Sequence, residues 1–180
     1  RSVQMVVLCE DTQHSTFVYR LLKQLGFPRR RIRIEKAPAG GGAAEQYVRE
    51  VYPDEVCVHR QKRARMKIGL VVVIDADTHS VDDRFGELND SLISEGMQMR
   101  QRGEMICILV PKRNIETWVY ALEGDDVDEQ TTYPKLERES DCKYAVQRLV
   151  DSLRGELPTG VILSLRRGHK ELNERLPQGS

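Results

Sequence analysis

"LVVVIDADTHSVDD", Leu70 to Asp83, is the stretch on which the fold turns. Leu70 to Ile74 is an unbroken apolar run, bounded by residues that favour turns. A run this short and this apolar has the pattern of a strand buried on both faces. It stops at Asp75, with Asp77 two residues on and Asp82 and Asp83 close behind. Side chains on an extended segment alternate with period two, so Asp75 and Asp77 are expected to point the same way. Two anions so placed repel each other, and one is pushed toward protonation unless a cation relieves the pair. All-oxygen clusters of this kind suit Mg²⁺ or Mn²⁺. The plainer alternative needs no metal: Asp75 turns the chain, and Asp77 or Ser80 caps the next helix.

Working outward, "VQMVVL" (Val3–Leu8) has the pattern of a second buried strand. Phe17, Val18, Leu21, Leu22 and Leu25 then recur at helical spacing, with Thr12 or Ser15 as cap and Gly26 as stop. "RRIRIEK" alternates as a strand does, and "APAGGGAAEQYVREVY" predicts a glycine-rich loop opening into a helix that ends near Pro53. "VCVHRQKRARMK" fits either a continued helix or a basic connector. Val81 to Arg102 is polar, with Phe85, Leu88, Leu92 and Ile93 at helical spacing, and predicts a helix; "EMICILVP" predicts a strand, and "NIETWVYAL" a helix capped by Asn114. An acidic, irregular loop follows. "DCKYAVQRLVDSL" and the tail from Pro158 to Pro177 predict two more helices.

Strands alternating with helices imply an α/β fold: a three-layer, Rossmann-like domain with a mainly parallel central sheet of about four strands. The core is expected over 1–124, with 125–180 as a loop and helical C-terminal extension on the same domain. Ligands of open parallel sheets collect at the carboxyl ends of the strands. Glu10, Asp75, Asp77 and, one turn into the following helix, Glu116 could all converge there. Lys112 would lie beside them.

Bulk composition narrows the function. Acids and bases balance at 28 each in 180 residues, so the chain is no polycation, and any nucleic-acid contact must be a local patch. Cys9, Cys57, Cys107 and Cys142 form no C-x-x-C pair, which implies a reducing compartment and argues against zinc. No run approaches a membrane span, and the start shows no signal-peptide pattern, so a cytoplasmic protein is expected. The basic residues Arg60, Lys62, Arg63 and Arg65, with Lys112 and Lys170, are candidate phosphate contacts, as is the Arg29–Arg33 run; each can equally be a solvated face. The Gly40–Gly42 loop lacks the G-K-[ST] of a P-loop, so nucleotide hydrolysis is not supported. His14 and His79 fall near the proposed site as candidate proton shuttles. The expected role of His14 is an ordinary polar residue in the first turn of its helix.

An acidic residue ending the first strand ("VVLCED"), a helix, and an apolar strand ending in D-x-D ("VVVIDAD") together resemble the Toprim domain shared by topoisomerases, bacterial primases and OLD-type nucleases. "PKRNIETWVYAL" resembles a segment of small stand-alone Toprim-like proteins of bacteria, some tied to phage or mobile-element defence. The resemblance spans about Val3 to Leu122. It implies Glu10 as general acid/base or metal ligand and Asp75 and Asp77 as metal ligands, with Mg²⁺ or Mn²⁺ as cofactor. Glu116 is a separate candidate for a second ion. The usual Toprim glutamate is followed by glycine, whereas Asp11 stands here. The function expected is metal-dependent cleavage of nucleic-acid phosphodiesters, DNA ahead of RNA, by a nuclease. The alternatives are a non-catalytic Toprim-like subunit of a larger protein complex, and a receiver-like domain with Glu10 and Asp11 as its acid pair and Lys112 as its lysine.

Overall fold

The computed structural model describes residues 3–40 and 42–177. Gly41 of the glycine loop and the ends of both expected segments lie outside that range. The order is β1 (Gln4–Cys9), α1 (Thr12–Gln24), β2 (Ile32–Lys36), α2 (Ala44–Lys62), β3 (Ile68–Val73), α3 (Val81–Ser94), β4 (Ile106–Leu109), α4 (Ile115–Leu122), α5 (Lys143–Leu153) and α6 (Leu163–Arg175). The four strands form one all-parallel sheet in the order β2-β1-β3-β4. β3 is buried along its whole length, as its run of valines requires.

Period-two alternation divides the strand residues between two cores. Met5, Val7, Cys9, Val71, Val73, Cys107 and Leu109 face α1, α4, α5 and α6. Val6, Leu8, Leu70, Val72, Ile74, Ile106 and Ile108 face α2 and α3. This is the three-layer α/β arrangement. Residues of the C-terminal extension, among them Val146, Leu149, Leu165 and Leu172, share the first core with α1 and Trp118.

Two details fix the layers closely. Gly69 lies where a Cβ would stand 2.7 Å from the sulfurs of Met5 and Met105. Gly168 lies where a Cβ would stand 2.4 Å from the Trp118 ring. The outer edge of β4 is closed by side chains. Glu171 of α6 accepts the Ile108 N–H at 3.0 Å, and Arg100 donates to the Ile106 carbonyl at 2.9 Å while pairing with Glu171. Such pairing blunts the β4 edge against another strand. β2 forms the other edge, with Ile32 and Glu35 half-buried and Arg33, Ile34 and Lys36 exposed.

The structure corrects the expectation that a helix ends near Pro53. α2 runs on through Pro53 to Lys62, and the ambiguous basic segment is largely its last turns. Proline removes one hydrogen bond. Val48, Tyr52, Val56 and His59 nevertheless form a buried stripe at helical spacing, and that burial carries the helix past the break. The α3 helix ends at Ser94, short of the expected Arg102. The α1 cap is Asp11, whose carboxylate accepts the His14 N–H at 2.8 Å, rather than Thr12 or Ser15. Asn114 caps α4 as expected. Among the described residues no helix is long and apolar enough to cross a membrane.

Candidate metal centre

β1 delivers Glu10 and β3 delivers Asp75 to the same carboxyl edge, because Leu8 and Val72 stand side by side in the parallel register. α1, capped by Asp11 just after β1, turns His14 back over that edge. One ligand atom from each of Glu10, His14 and Asp75 lies within 4.8 Å of the others, so this cluster can hold a metal ion.

The three are already wired together. The Glu10 carboxylate accepts the Asp75 backbone N–H. His14 is fully buried; its Nε2 lies 3.0 Å from Asp75 Oδ1, and its Nδ1 accepts the Glu10 backbone N–H at 3.3 Å. In the neutral ring Nδ1 carries the lone pair that the Glu10 N–H meets, and Nε2 donates its proton to Asp75; in the charged ring Nε2 still donates to Asp75 but Nδ1 no longer accepts. This is the arrangement in which an imidazole orients a carboxylate.

Electrostatics in the cluster are strained, as expected for buried like charges. Burial and then the Asp75 carboxylate push Glu10 up to about 7, against the pull of His14. Burial also raises Asp75, again opposed by His14. For His14, burial disfavours the charged form, but Asp75 and then Asp11 and Glu10 outweigh it and lift it to about 10. A cation placed here would relieve the two carboxylates.

Asp77 behaves differently from the simple strand argument. Its φ is +53°, so the chain has left the extended conformation and the period-two rule lapses between Asp75 and Asp77. Asp77 pairs across to Arg113, itself at φ +68°, through an isolated bridge in which the Asp77 N–H donates to the Arg113 carbonyl at 3.2 Å. The Asp77 side chain is 71% exposed, against 18% for Asp75. Both line one small cleft of about 200 Å³, with Asp77 at the rim, but Asp77 does not join the tight trio. Asp82 and Asp83 are elsewhere engaged. Asp83 and Ser80 form the α3 capping box, and Asp82 pairs with Arg167 at 3.3 Å.

Glu116 is buried rather than an exposed first-turn acid. Burial raises it, with Asp75 and Asp11 adding to the effect. It does not line the cleft and is not in the trio. Lys112 donates to the backbone carbonyls of Asp77 and His79 and thus pins the loop. His79 is exposed, with no part in the trio.

The structure separates the proposed phosphate contacts from this edge. Arg60 and Arg63 both bind Glu104, at 2.7 and 3.0 Å, at the far, amino end of the sheet. Lys62 and Arg65 are exposed at that same end, after the last turn of α2 or within it. Lys170 is exposed on α6, 3.9 Å from Glu174. The cations that do line the cleft are Arg84 and Arg113. Arg84 is buried; its Nε donates to the Asp75 carbonyl at 3.0 Å, and Glu87 accepts from it at 2.8 Å. Sequence reasoning passed over both; it placed His14 near the site as a candidate proton shuttle but expected an ordinary polar residue in the first turn, where the structure buries it against Asp75. Arg84 follows a predicted cap by four residues, a position that carries no signal of its own.

No protein-family model, curated protein or solved structure matches the chain.

Proposed function

We propose that this edge binds Mg²⁺ or Mn²⁺ and hydrolyses nucleic-acid phosphodiesters, DNA foremost, in the manner of a Toprim-type nuclease. The observation that carries the reading is the Glu10–His14–Asp75 trio, gathered from two strand ends and a helix, with Asp77 on the rim of the same cleft. Glu10 and Asp75 would hold the ion, with Asp77 reaching it directly or through water. When bound, a divalent ion polarises a phosphoryl oxygen and lowers the pKa of water. The chain's own residues do the rest. Glu10, held near 7 in the metal-free cluster, would either give up its proton to ligate the ion or, where it stays off the ion, take and return a proton at neutral pH. His14 fixes the Asp75 rotamer. Arg84 and Arg113 offer positive charge to a phosphate in the cleft. Four free cysteines accord with a reducing, cytoplasmic setting.

The small size of the cleft, about 200 Å³, and the remoteness of Arg60 and Arg63 favour a second reading: a metal-holding subunit that acts only within a larger complex. Calorimetric titration of Mn²⁺ and Mg²⁺ into wild type and Asp75→Asn/Asp77→Asn is the first test, followed by cleavage of single- and double-stranded DNA and RNA. Binding and cleavage that the double variant loses while staying folded support the nuclease. Metal binding without cleavage supports the second reading. Cleavage retained in both Asp75→Ala and Asp77→Ala refutes the assignment.

A further inference from the structure

The two edges of the sheet are finished differently. Glu171 and Arg100 cover the β4 edge by bonding the outward main-chain groups of Ile108 and Ile106. The β2 edge has no such cover. The Ala37 N–H donates to the Cys9 carbonyl at 3.1 Å, so by alternation Arg33 and Glu35 turn their main-chain groups to β1, and Ile32, Ile34 and Lys36 turn theirs outward. The Ile32 N–H is used locally, on the Arg29 carbonyl. Among the described residues, nothing bonds the outward N–H groups of Ile34 and Lys36 or the outward carbonyls of Ile32, Ile34 and Lys36. An uncovered row of this kind is a template for another strand.

Charge on an edge strand usually keeps other strands away, and on β2 the order of the charges decides which strand is kept away. Arg33 and Glu35 lie on the α2 face, where Arg33 pairs with Glu35 and, at 2.9 Å, with Glu55. Ile34 and Lys36 lie on the α1 face, where Lys36 reaches Thr12 at 2.9 Å. Ile34 is 37% exposed and lines, with Thr16 and Tyr19, a shallow groove of about 440 Å³. A second copy of β2, laid antiparallel about a two-fold axis through Ile34, sets Ile34 against Ile34 and each Arg33 against the partner's Glu35. Outward main-chain groups then meet outward groups. Ile34 exchanges both bonds with its counterpart, and each Lys36 N–H meets the partner's Ile32 carbonyl. The neighbouring two-fold registers that also match outward groups are centred on Arg33 and on Glu35. They set Arg33 against Arg33 or Glu35 against Glu35, and like charges directly opposite are destabilising. The charges therefore repel both of those registers and admit the one centred on Ile34.

We infer that β2 is the interface of a symmetric dimer of this chain, joined antiparallel in the register centred on Ile34. The contact is isologous, as a two-fold axis requires. The two four-stranded sheets become one, and both of its outer edges are the covered β4 edges, so no open edge remains. Both α1 helices fall on one face, and the half-buried Tyr19 and the exposed Ile34 of each copy form one apolar strip across the axis. The strands of the two copies run in opposite directions, so their carboxyl edges point apart. Each Glu10–His14–Asp75 cluster stays within one chain, and the inference is independent of the metal-site reading.

Sedimentation equilibrium of the full chain, at concentrations up to about 500 μM, tests this. Wild type should show a monomer–dimer equilibrium with a Kd below about 100 μM. Arg33→Glu sets acid against acid at both symmetry-related contacts, and Glu35→Arg sets base against base. Each variant alone should self-associate at least about tenfold more weakly. An equimolar mixture of the two should dimerise again, because every contact across the axis then pairs an acid with a base. Damage to either fold does not produce that rescue. Ile34→Pro removes an N–H that faces away from the β1 ladder, so by circular dichroism the chain should keep its fold while losing the dimer. Asp75→Asn should leave association unchanged. A wild type that is monomeric at about 500 μM overturns the inference. So does a dimer that either Arg33→Glu or Ile34→Pro leaves intact, and so does a mixture of the two charge variants that fails to associate. A monomeric chain that binds an extended peptide of alternating valine and threonine would give the edge to a foreign strand and overturn the second copy as its occupant.

Discussion

Metal affinity at the carboxyl edge should depend on pH in a way that counts the protons displaced. Glu10 is held at about 7, so at pH 6 only about one molecule in eleven has it ionised, and at pH 8 about ten in eleven. If the ion needs only the ionised Glu10 beside an already organised Asp75, affinity rises about tenfold between those pH values, or roughly 1.4 kcal/mol. His14 stands at about 10. If the imidazole must also give up its proton to ligate the ion, a further hundredfold enters, for about a thousandfold in all. The hydrogen bonding favours the smaller number, because Nε2 serves Asp75 and can do so with the proton in place. The same linkage appears in stability. Glu10 is raised above its ordinary 4.5, so the metal-free protein holds its full stability below that pH and loses of order 3 kcal/mol as pH rises through 7. A bound ion removes that loss, and the metal-induced rise in melting temperature should therefore be larger at pH 8 than at pH 6. Mn²⁺ calorimetry in non-coordinating buffers at half-unit intervals, with melting curves alongside, measures both. A tenfold change supports His14 as the orienting partner of Asp75, and a thousandfold change makes it a ligand. An affinity flat across pH 6–8 would show that Glu10 does not hold the ion and would refute the reasoning.

Three further outcomes are expected. Asp75→Asn should weaken Mn²⁺ by about a hundredfold or more and Asp77→Asn by no more than about tenfold, since Asp75 is nearly enclosed and Asp77 is mostly exposed; equal losses by calorimetry would contradict the rim placement. Gly168→Ala should destabilise by about 1–3 kcal/mol, lowering the melting temperature by roughly 2–12 °C, because its Cβ meets the fully buried Trp118 ring at 2.4 Å; an unchanged melting curve would show that α6 can shift freely. Glu104→Gln should cost about 2 kcal/mol at pH 7 by urea unfolding. Burial opposes ionisation of Glu104, but hydrogen bonds from Arg60 and the Gln101 N–H, with the charge of Arg63, hold it below the usual carboxylate range. Its contribution is present above about pH 4.3 and fades as pH falls below that, so the gap between variant and wild type should close in acid; a gap constant to pH 3 would exclude the ion pairs as its source.

The layered fold was legible because its strongest signal is local. An apolar run such as Leu70–Ile74 has few places to go other than the middle of a sheet covered on both faces, and each intervening helix carried its own spacing. Pro53 misled because proline is a local penalty, whereas the stripe Val48–Tyr52–Val56–His59 is a tertiary gain that only the packed β3 and α3 make available. The length of α3 misled for the opposite reason. Beyond Ser94 the helical spacing lapses: Gly96, at φ +71°, turns the chain, and Met97 packs half-buried against the core from the turn rather than from the helix.

The site was legible in its acids and illegible in what surrounds them. Glu10 and Asp75 follow buried strands, and parallel register alone sets such residues side by side. Nothing in one dimension shows that Asp77 turns left-handed against Arg113, because that depends on a bridge between two loops. Nor does spacing show that the basic run after Cys57 belongs to the wrong end of the sheet. That follows from parallel topology: each helix crosses back to the amino edge before the next strand begins, so the cations ending α2 arrive beside Ile68, a full strand length from Asp75. The same geometry answers why the carboxylates are tolerated at all. They stand where β1 and β3 end together, under a buried imidazole that shares a proton with one of them and a buried Arg84 that holds the backbone of the same residue.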